Sequence, residues 1–287
     1  MVAVVFGWIT AVLLLDRVAP LGLQRGLGLL TWALLAALLR RERRLVRAQV
    51  AVVVVFASAV EYTFSPLLEV YVYRFDNVPT YVPPGHGLVY LCALVLGRAR
   101  LVVRWRGPLV AATVAVGGLW AAYGVTFAAR TDALGAFWFA CLAGFLAWGR
   151  SRTLYVGAFA VVSYLELVGT WAGTWEWQRV DPTGIVAIGN PPSGAAGGYG
   201  WFDLAALLTA PTLLAWWDRL ARRPRLPVPA AARGHPHTTR ATWGAPRDNM
   251  GERRGVSRRG GPGRPGALGR WSPPRCPRPV PGCRPGR

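Results

Sequence analysis

Long apolar runs cut by clusters of arginine leave this chain few folds to adopt. Eight stretches are predominantly apolar, at about 2 to 15, 26 to 39, 47 to 65, 87 to 97, 108 to 128, 133 to 148, 154 to 173 and 201 to 217. A helix needs roughly 20 such residues to cross the hydrocarbon of a bilayer, with some latitude for tilt and snorkelling ends. Inside lipid every backbone N–H and C=O must find its partner within the segment, so these runs fold as helices. The expected fold class is all-α, a polytopic transmembrane bundle of about eight spans. The first, second and fourth runs are short; they reach full length by extension through Pro20, Arg25 or Val102, or one of them is re-entrant.

Apolar residues make up 53% of the chain and charged ones 16%, yet the formal charge is +20. The position of the charges resolves the conflict. Arg40, Arg41, Arg43, Arg44 and Arg47 fall between runs two and three, and Arg98, Arg100, Arg104 and Arg106 between four and five. Arg150 and Arg152 separate six from seven, and Arg219, Arg222, Arg223 and Arg225 follow the eighth. These are alternate connections, and arginine accumulates in short cytoplasmic loops. The expectation is a plasma-membrane protein with both termini cytoplasmic and the segments 66 to 86 and 174 to 200 external. The chain contains no lysine, so its arginines reflect codon composition as readily as a need for guanidinium chemistry.

The first residues, Met1 to Leu15, resemble a signal segment but lack its basic start and a small-residue cleavage site, and read as the first helix. Cys92 and Cys141 sit within apolar runs as small hydrophobes, and none of the four cysteines has metal-site spacing. From 226 to 287 the chain is rich in Arg, Pro and Gly without apolar periodicity, which predicts a disordered cytoplasmic tail. Such a tail is attracted to anionic lipid. Nucleic acid is not expected as a partner, since no recognition module accompanies the charge. A reading frame shifted in GC-rich coding sequence gives the same composition.

Glu61, Arg74 and Asp76 recur as Glu166, Arg179 and Asp181, each pair 105 residues apart. Each set follows an apolar run and precedes a proline pair, Pro83-Pro84 or Pro191-Pro192. A fixed spacing of this kind suggests duplication. It divides the chain into a first four-helix membrane unit at 1–105, a second at 106–225 and the tail at 226–287, the units being parallel repeats about an axis along the membrane normal.

The first copy adds Glu69, His86, Tyr71, Tyr73 and Tyr81, and the second Glu176, Asp203, Trp171, Trp175, Trp177 and Trp201. Aromatics at helix ends serve as interfacial anchors. The alternation of Tyr71 with Tyr73 and of Trp175 with Trp177 predicts short extended segments across the helix mouths, and 184 to 200 reads as a compact covering or re-entrant loop. Its glycines lack the strand and lysine of a phosphate loop. Carboxylates at the ends of apolar runs are costly unless paired or functional. Two readings stand: ion pairs, Glu61 with Arg74 and Glu166 with Arg179, that tether loops; or a functional site. Asp203 is positioned to cap the last helix, and His86 to shuttle a proton or bind a ligand. No cofactor fingerprint or metal cluster is apparent.

The segment Glu166-Leu-Val-Gly169-Thr-Trp-Ala-Gly173-Thr-Trp175-Glu-Trp177, followed by Gly184, Gly189 and Pro191, resembles the Glu-x-x-Gly-x-x-x-Gly-x-aromatic-x-aromatic pattern of carotenoid-biosynthesis membrane proteins of the carotenoid hydratase type. Tryptophan stands where tyrosine or phenylalanine is usual, and the match spans about a tenth of the chain. More broadly the chain looks like a polytopic membrane protein of actinobacterial type. The resemblance implies hydration of an isoprenoid alkene. Glu166 or Glu61 would deliver a proton, the tryptophans would stabilise a cation and Asp181 would hold water, with Arg74, Asp76, His86, Trp171, Arg179 and Asp203 around the substrate. The expected partners are membrane lipids and a lipid-soluble small molecule. The same acids also suit a transporter or ligand-binding membrane protein, and a structural or assembly role is a third expectation.

Overall fold

The computed structural model describes residues 1–221, so the tail from 226 lies outside the described residues. In chain order the helices are α1 (Val2–Asp16), α2 (Leu21–Leu39), α3 (Arg44–Tyr62), α4 (Val82–Arg98), α5 (Arg100–Arg104), α6 (Arg106–Thr126), α7 (Ala133–Trp148), α8 (Arg152–Ala172) and α9 (Ala195–Ala221). Each apolar run folds as one helix, and α5 is a single extra turn in an Arg-rich connection. Four helices, α2, α3 with the π-helical turn that extends it to Leu67, α6 and α8, are long and apolar enough to cross a membrane. Helices α1 and α7 are shorter apolar helices. The outer surface fits lipid better than water: Leu29, Leu30, Val55, Leu119 and Trp217 are all exposed, a larger apolar skin than soluble monomers carry.

Helix α4 sits at the centre. It is buried without interruption from His86 to Leu94, as a helix apolar on all sides must be, and packs on α8, α3, α2 and α1. Its packing on α8 and that of α3 on α9 are the two most extensive in the bundle. Both cross residue 105, so the halves are knitted together.

Alternate connections gather at one end. There the α1–α2 corner meets the segment after α3, through Tyr81 donating to Asp16 Oδ2 at 3.0 Å and Asn77 donating to Gln24 at 3.0 Å. Asp132, in the α6–α7 corner, accepts from the backbone N–H groups of Gly135, Gly189 and Ser193 at 2.7–2.9 Å. The Arg-rich connections lie away from this end, where Arg44 pairs with Asp218 at 2.6 Å.

Three local expectations change. The fourth run, read as 87 to 97, extends back to Val82, so Pro83-Pro84-Gly85-His86-Gly87 is the opening of α4; proline suits the first helical turn, whose N–H groups have no intrahelical partner. Helix α9 starts at Ala195, so the glycine-rich stretch is mostly helical. Glycine there permits close helix contact: a Cβ on Gly197 would lie 1.8 Å from the carbonyl oxygen of Trp138 on α7. Gly197→Ala is therefore expected to separate α7 from α9 at a cost of about 1–3 kcal/mol, read as a lower unfolding midpoint in detergent. An unchanged midpoint would contradict this close packing. Finally, Asp203 lies inside α9, buried, and caps nothing.

Candidate functional site

Two short strands, β1 (Tyr71–Tyr73) and β2 (Trp175–Trp177), pair antiparallel with Tyr71 opposite Trp177, Val72 opposite Glu176 and Tyr73 opposite Trp175. Side chains alternate across a strand. The four rings turn inward and are buried, whereas Glu176 is exposed. A ribbon this short has little stability of its own; its inward rings are fastened to two helices.

Each helix supplies one carboxylate. Glu61, in the last turn of α3, accepts from Tyr71 and Tyr73 hydroxyls through Oε2, both at 2.8 Å, and its Oε1 lies 2.8 Å from His86 Nε2. Burial first, and then the Glu61 charge, hold the Tyr71 and Tyr73 phenols well above their ordinary range, so both remain donors. Glu166 of α8 accepts from the indole N–H groups of Trp175 and Trp177 through Oε2, both at 3.2 Å. Its Oε1 has no hydrogen-bond partner among the described residues. The strand pairing joins the two systems, with Tyr71 and Trp177 ring centroids 4.5 Å apart.

The local sequence explains the geometry around Glu166. A Cβ on Gly169 would fall 1.9 Å from Trp175 Cη2, so glycine leaves room for the ring. Gly173 then ends α8 at φ 70°, the left-handed conformation glycine favours, and turns the chain so that Trp175 and Trp177 face back to the carboxylate. On the other side α3 ends through a π-helical turn, Thr63–Leu67, containing Pro66.

Both carboxylates line one cavity of about 260 Å³. Its walls are mainly apolar or aromatic, with Tyr199 stacked on His86 at 5.0 Å and Trp138 edge-on to Trp177 at 5.6 Å. His86 is buried, and its Nδ1 is enclosed without a partner among the described residues.

The structure thus assembles Glu61, Glu166, His86, Tyr71, Tyr73, Trp175 and Trp177, with Tyr81 and Trp201 also along the lining, and adds Trp138 and Tyr199. Arg74, Asp76, Trp171, Arg179, Asp181 and Asp203 lie outside the lining. Neither tethering pair forms: Arg74 donates to the Ala19 carbonyl and approaches Asp16 Oδ1 at 3.8 Å, and Arg179 is exposed. Asp76 is an exposed turn residue at φ 51°. Asp181 closes its own loop, accepting from Thr183, Ile185 and Val186; the Thr183 hydroxyl foremost holds its carboxyl below the usual range. Trp171 is exposed beneath the Arg17 guanidinium, 5.6 Å from the ring centroid. Asp203 is buried outside the cavity lining, with Oδ2 unpartnered. Among the described residues no cluster of three or more His, Cys, Asp or Glu has metal-site proximity.

Sequence reasoning also passed over the two buried corner aspartates. Asp16, at the end of an apolar run and eight residues before Gln24, and Asp132, directly before a helix, carried the only signals. Comparison with protein-family models, with curated proteins and with solved structures finds no match to this chain.

Proposed function

We propose that this is an eight-span membrane protein that adds water to an alkene of an isoprenoid or similar lipid-soluble substrate at the Glu61–Glu166 cavity. The asymmetry of the two carboxylates carries the proposal. Among the described residues Glu61 is engaged by three side chains, whereas Glu166 meets two indoles and keeps Oε1 free. A carboxyl with a free oxygen at an apolar cavity is placed to hand over a proton. The proton moves from Glu166 Oε1 to one alkene carbon, and the π pair forms the new C–H bond. The Trp175 and Trp177 faces stabilise the cation left on the neighbouring carbon. A water oxygen then bonds to that carbon. The His86–Glu61 pair takes the water's surplus proton and returns it to Glu166, so the net change is addition of one water without oxidant or reductant.

The Glu166–Trp177 segment supports this reading, because each element of its hydratase-like pattern has a part in building the site. The Arg distribution supports cytoplasmic termini and an external position for the strand ribbon. The matched carboxylate helices and ribbon strands support a duplicated origin. Reconstituted protein supplied with a linear isoprenoid polyene in ¹⁸O-labelled water is expected to form an alcohol one water heavier, carrying solvent oxygen. No product across linear and cyclic polyenes would overturn the proposal. Ion or solute flux in proteoliposomes without lipid conversion would instead favour transport, a reading that draws on the buried acid Asp203 as well as the pair.

A further inference from the structure

Two residues among those lining the cavity, Phe56 on α3 and Trp201 on α9, are exposed, at 40% and 49%. Phe56 meets Phe202 of α9 edge to face at 5.4 Å, and Trp201, next to Phe202, lies edge-on to Phe145 of α7 at 5.3 Å. The span containing Phe56 runs 24 residues, from Arg44 to Leu67. At 1.5 Å per residue Phe56 lies about 18 Å from one end and about 16 Å from the other. An opening at mid-span faces acyl chains rather than water. The surface beside it agrees, since Val55 on α3 and Leu208 on α9 are exposed and apolar.

Glu61 is five residues further along α3, about 7–8 Å nearer the ribbon end. The cavity, about 260 Å³, is smaller than the roughly 300–1,000 Å³ of sites that enclose a drug-sized ligand. A long chain therefore fits with one end inside and the rest outside. Resting on the isoprenoid reading, the geometry points to a lateral doorway beside Phe56, at the seam of α3 and α9. Through it the apolar terminus of a long linear chain reaches Glu61 and Glu166 while the remainder stays in the bilayer.

Two photoreactive farnesol analogues test this in protein reconstituted in lipid nanodiscs, one with a diazirine at the hydrocarbon terminus and one with it mid-chain. The terminal probe is expected to label the peptides holding Glu61 and Glu166, and the mid-chain probe those holding Phe56 and Trp201. Phe56→Trp, which narrows the seam, is expected to cut terminal-probe labelling several-fold. Phe56→Ala, which widens it, is expected to raise terminal-probe labelling, and it serves if the tryptophan variant does not fold. Mid-chain labelling confined to the segments 66 to 81 and 174 to 194, or labelling indifferent to both variants, would overturn the doorway. Expected labelling without water addition would leave the doorway standing and remove the hydratase chemistry. Water addition with labels elsewhere would do the reverse.

Discussion

Replacing Glu61 with leucine is expected to lower the unfolding midpoint by roughly 10 °C, the largest stability loss of any single substitution at the site. The carboxylate takes hydrogen bonds from Tyr71 and Tyr73 and faces His86 at the same distance, and all four residues are buried. Leucine fills a similar volume but strands three polar groups. Each buried group left without a partner costs about 1–3 kcal/mol. Because the tyrosines belong to β1, the ribbon loses its anchor on α3, and the loss extends to β2 and the indoles on Glu166. Glu61→Gln keeps an acceptor oxygen and is expected to cost less. The check is thermal unfolding in detergent followed by size-exclusion recovery. Equal midpoints for wild type and Glu61→Leu would mean that the buried network does not hold the ribbon.

Glu166→Gln is expected to leave the midpoint nearly unchanged and to lower turnover by roughly 100- to 10,000-fold, the range spanned by positioned acid–base groups. The amide oxygen still accepts from the Trp175 and Trp177 indoles, which are the only hydrogen bonds the side chain makes among the described residues. The amide has no transferable acidic proton. The contrast separates two kinds of residue in one cavity: Glu61 combines structural anchoring with the proposed proton return, and Glu166 serves the proposed proton delivery alone. Full conversion of a polyene by a folded Glu166→Gln protein would remove the proposed acid. A parallel fall in midpoint and activity would make Glu166 a second anchor instead.

The matched spacing of 105 residues carried part of the site and obscured part of it. It singled out Glu61 and Glu166, which the fold brings to one cavity, because carboxylates at the ends of apolar helices need a reason to be there. It also aligned Arg74 with Arg179 and Asp76 with Asp181, which take unlike local roles. The aromatics that contact the carboxylates, Tyr71 with Trp175 and Tyr73 with Trp177, are offset by 104. The π-helical turn after α3 lengthens the path from Glu61 to β1 by one residue relative to the path from Glu166 through Gly173 to β2, and Gln178 restores the spacing before Arg179.

By itself the sequence determined the helices and where they alternate, because a bilayer leaves an apolar run only one way to satisfy its backbone. It also determined that Tyr-x-Tyr and Trp-x-Trp each put two rings on one face of an extended segment. Only the tertiary structure decided what those faces meet. Hydrogen-bond partners between α3, α4, α8 and the ribbon depend on strand register, on how α3 and α8 terminate and on the close approach that Gly169 permits. These are distances between residues remote in the chain, and residue type constrains them weakly. For that reason the acids could be located in advance, whereas their union in one aromatic cavity, and the exclusion of Asp181, Arg179 and Asp203 from it, required the folded chain.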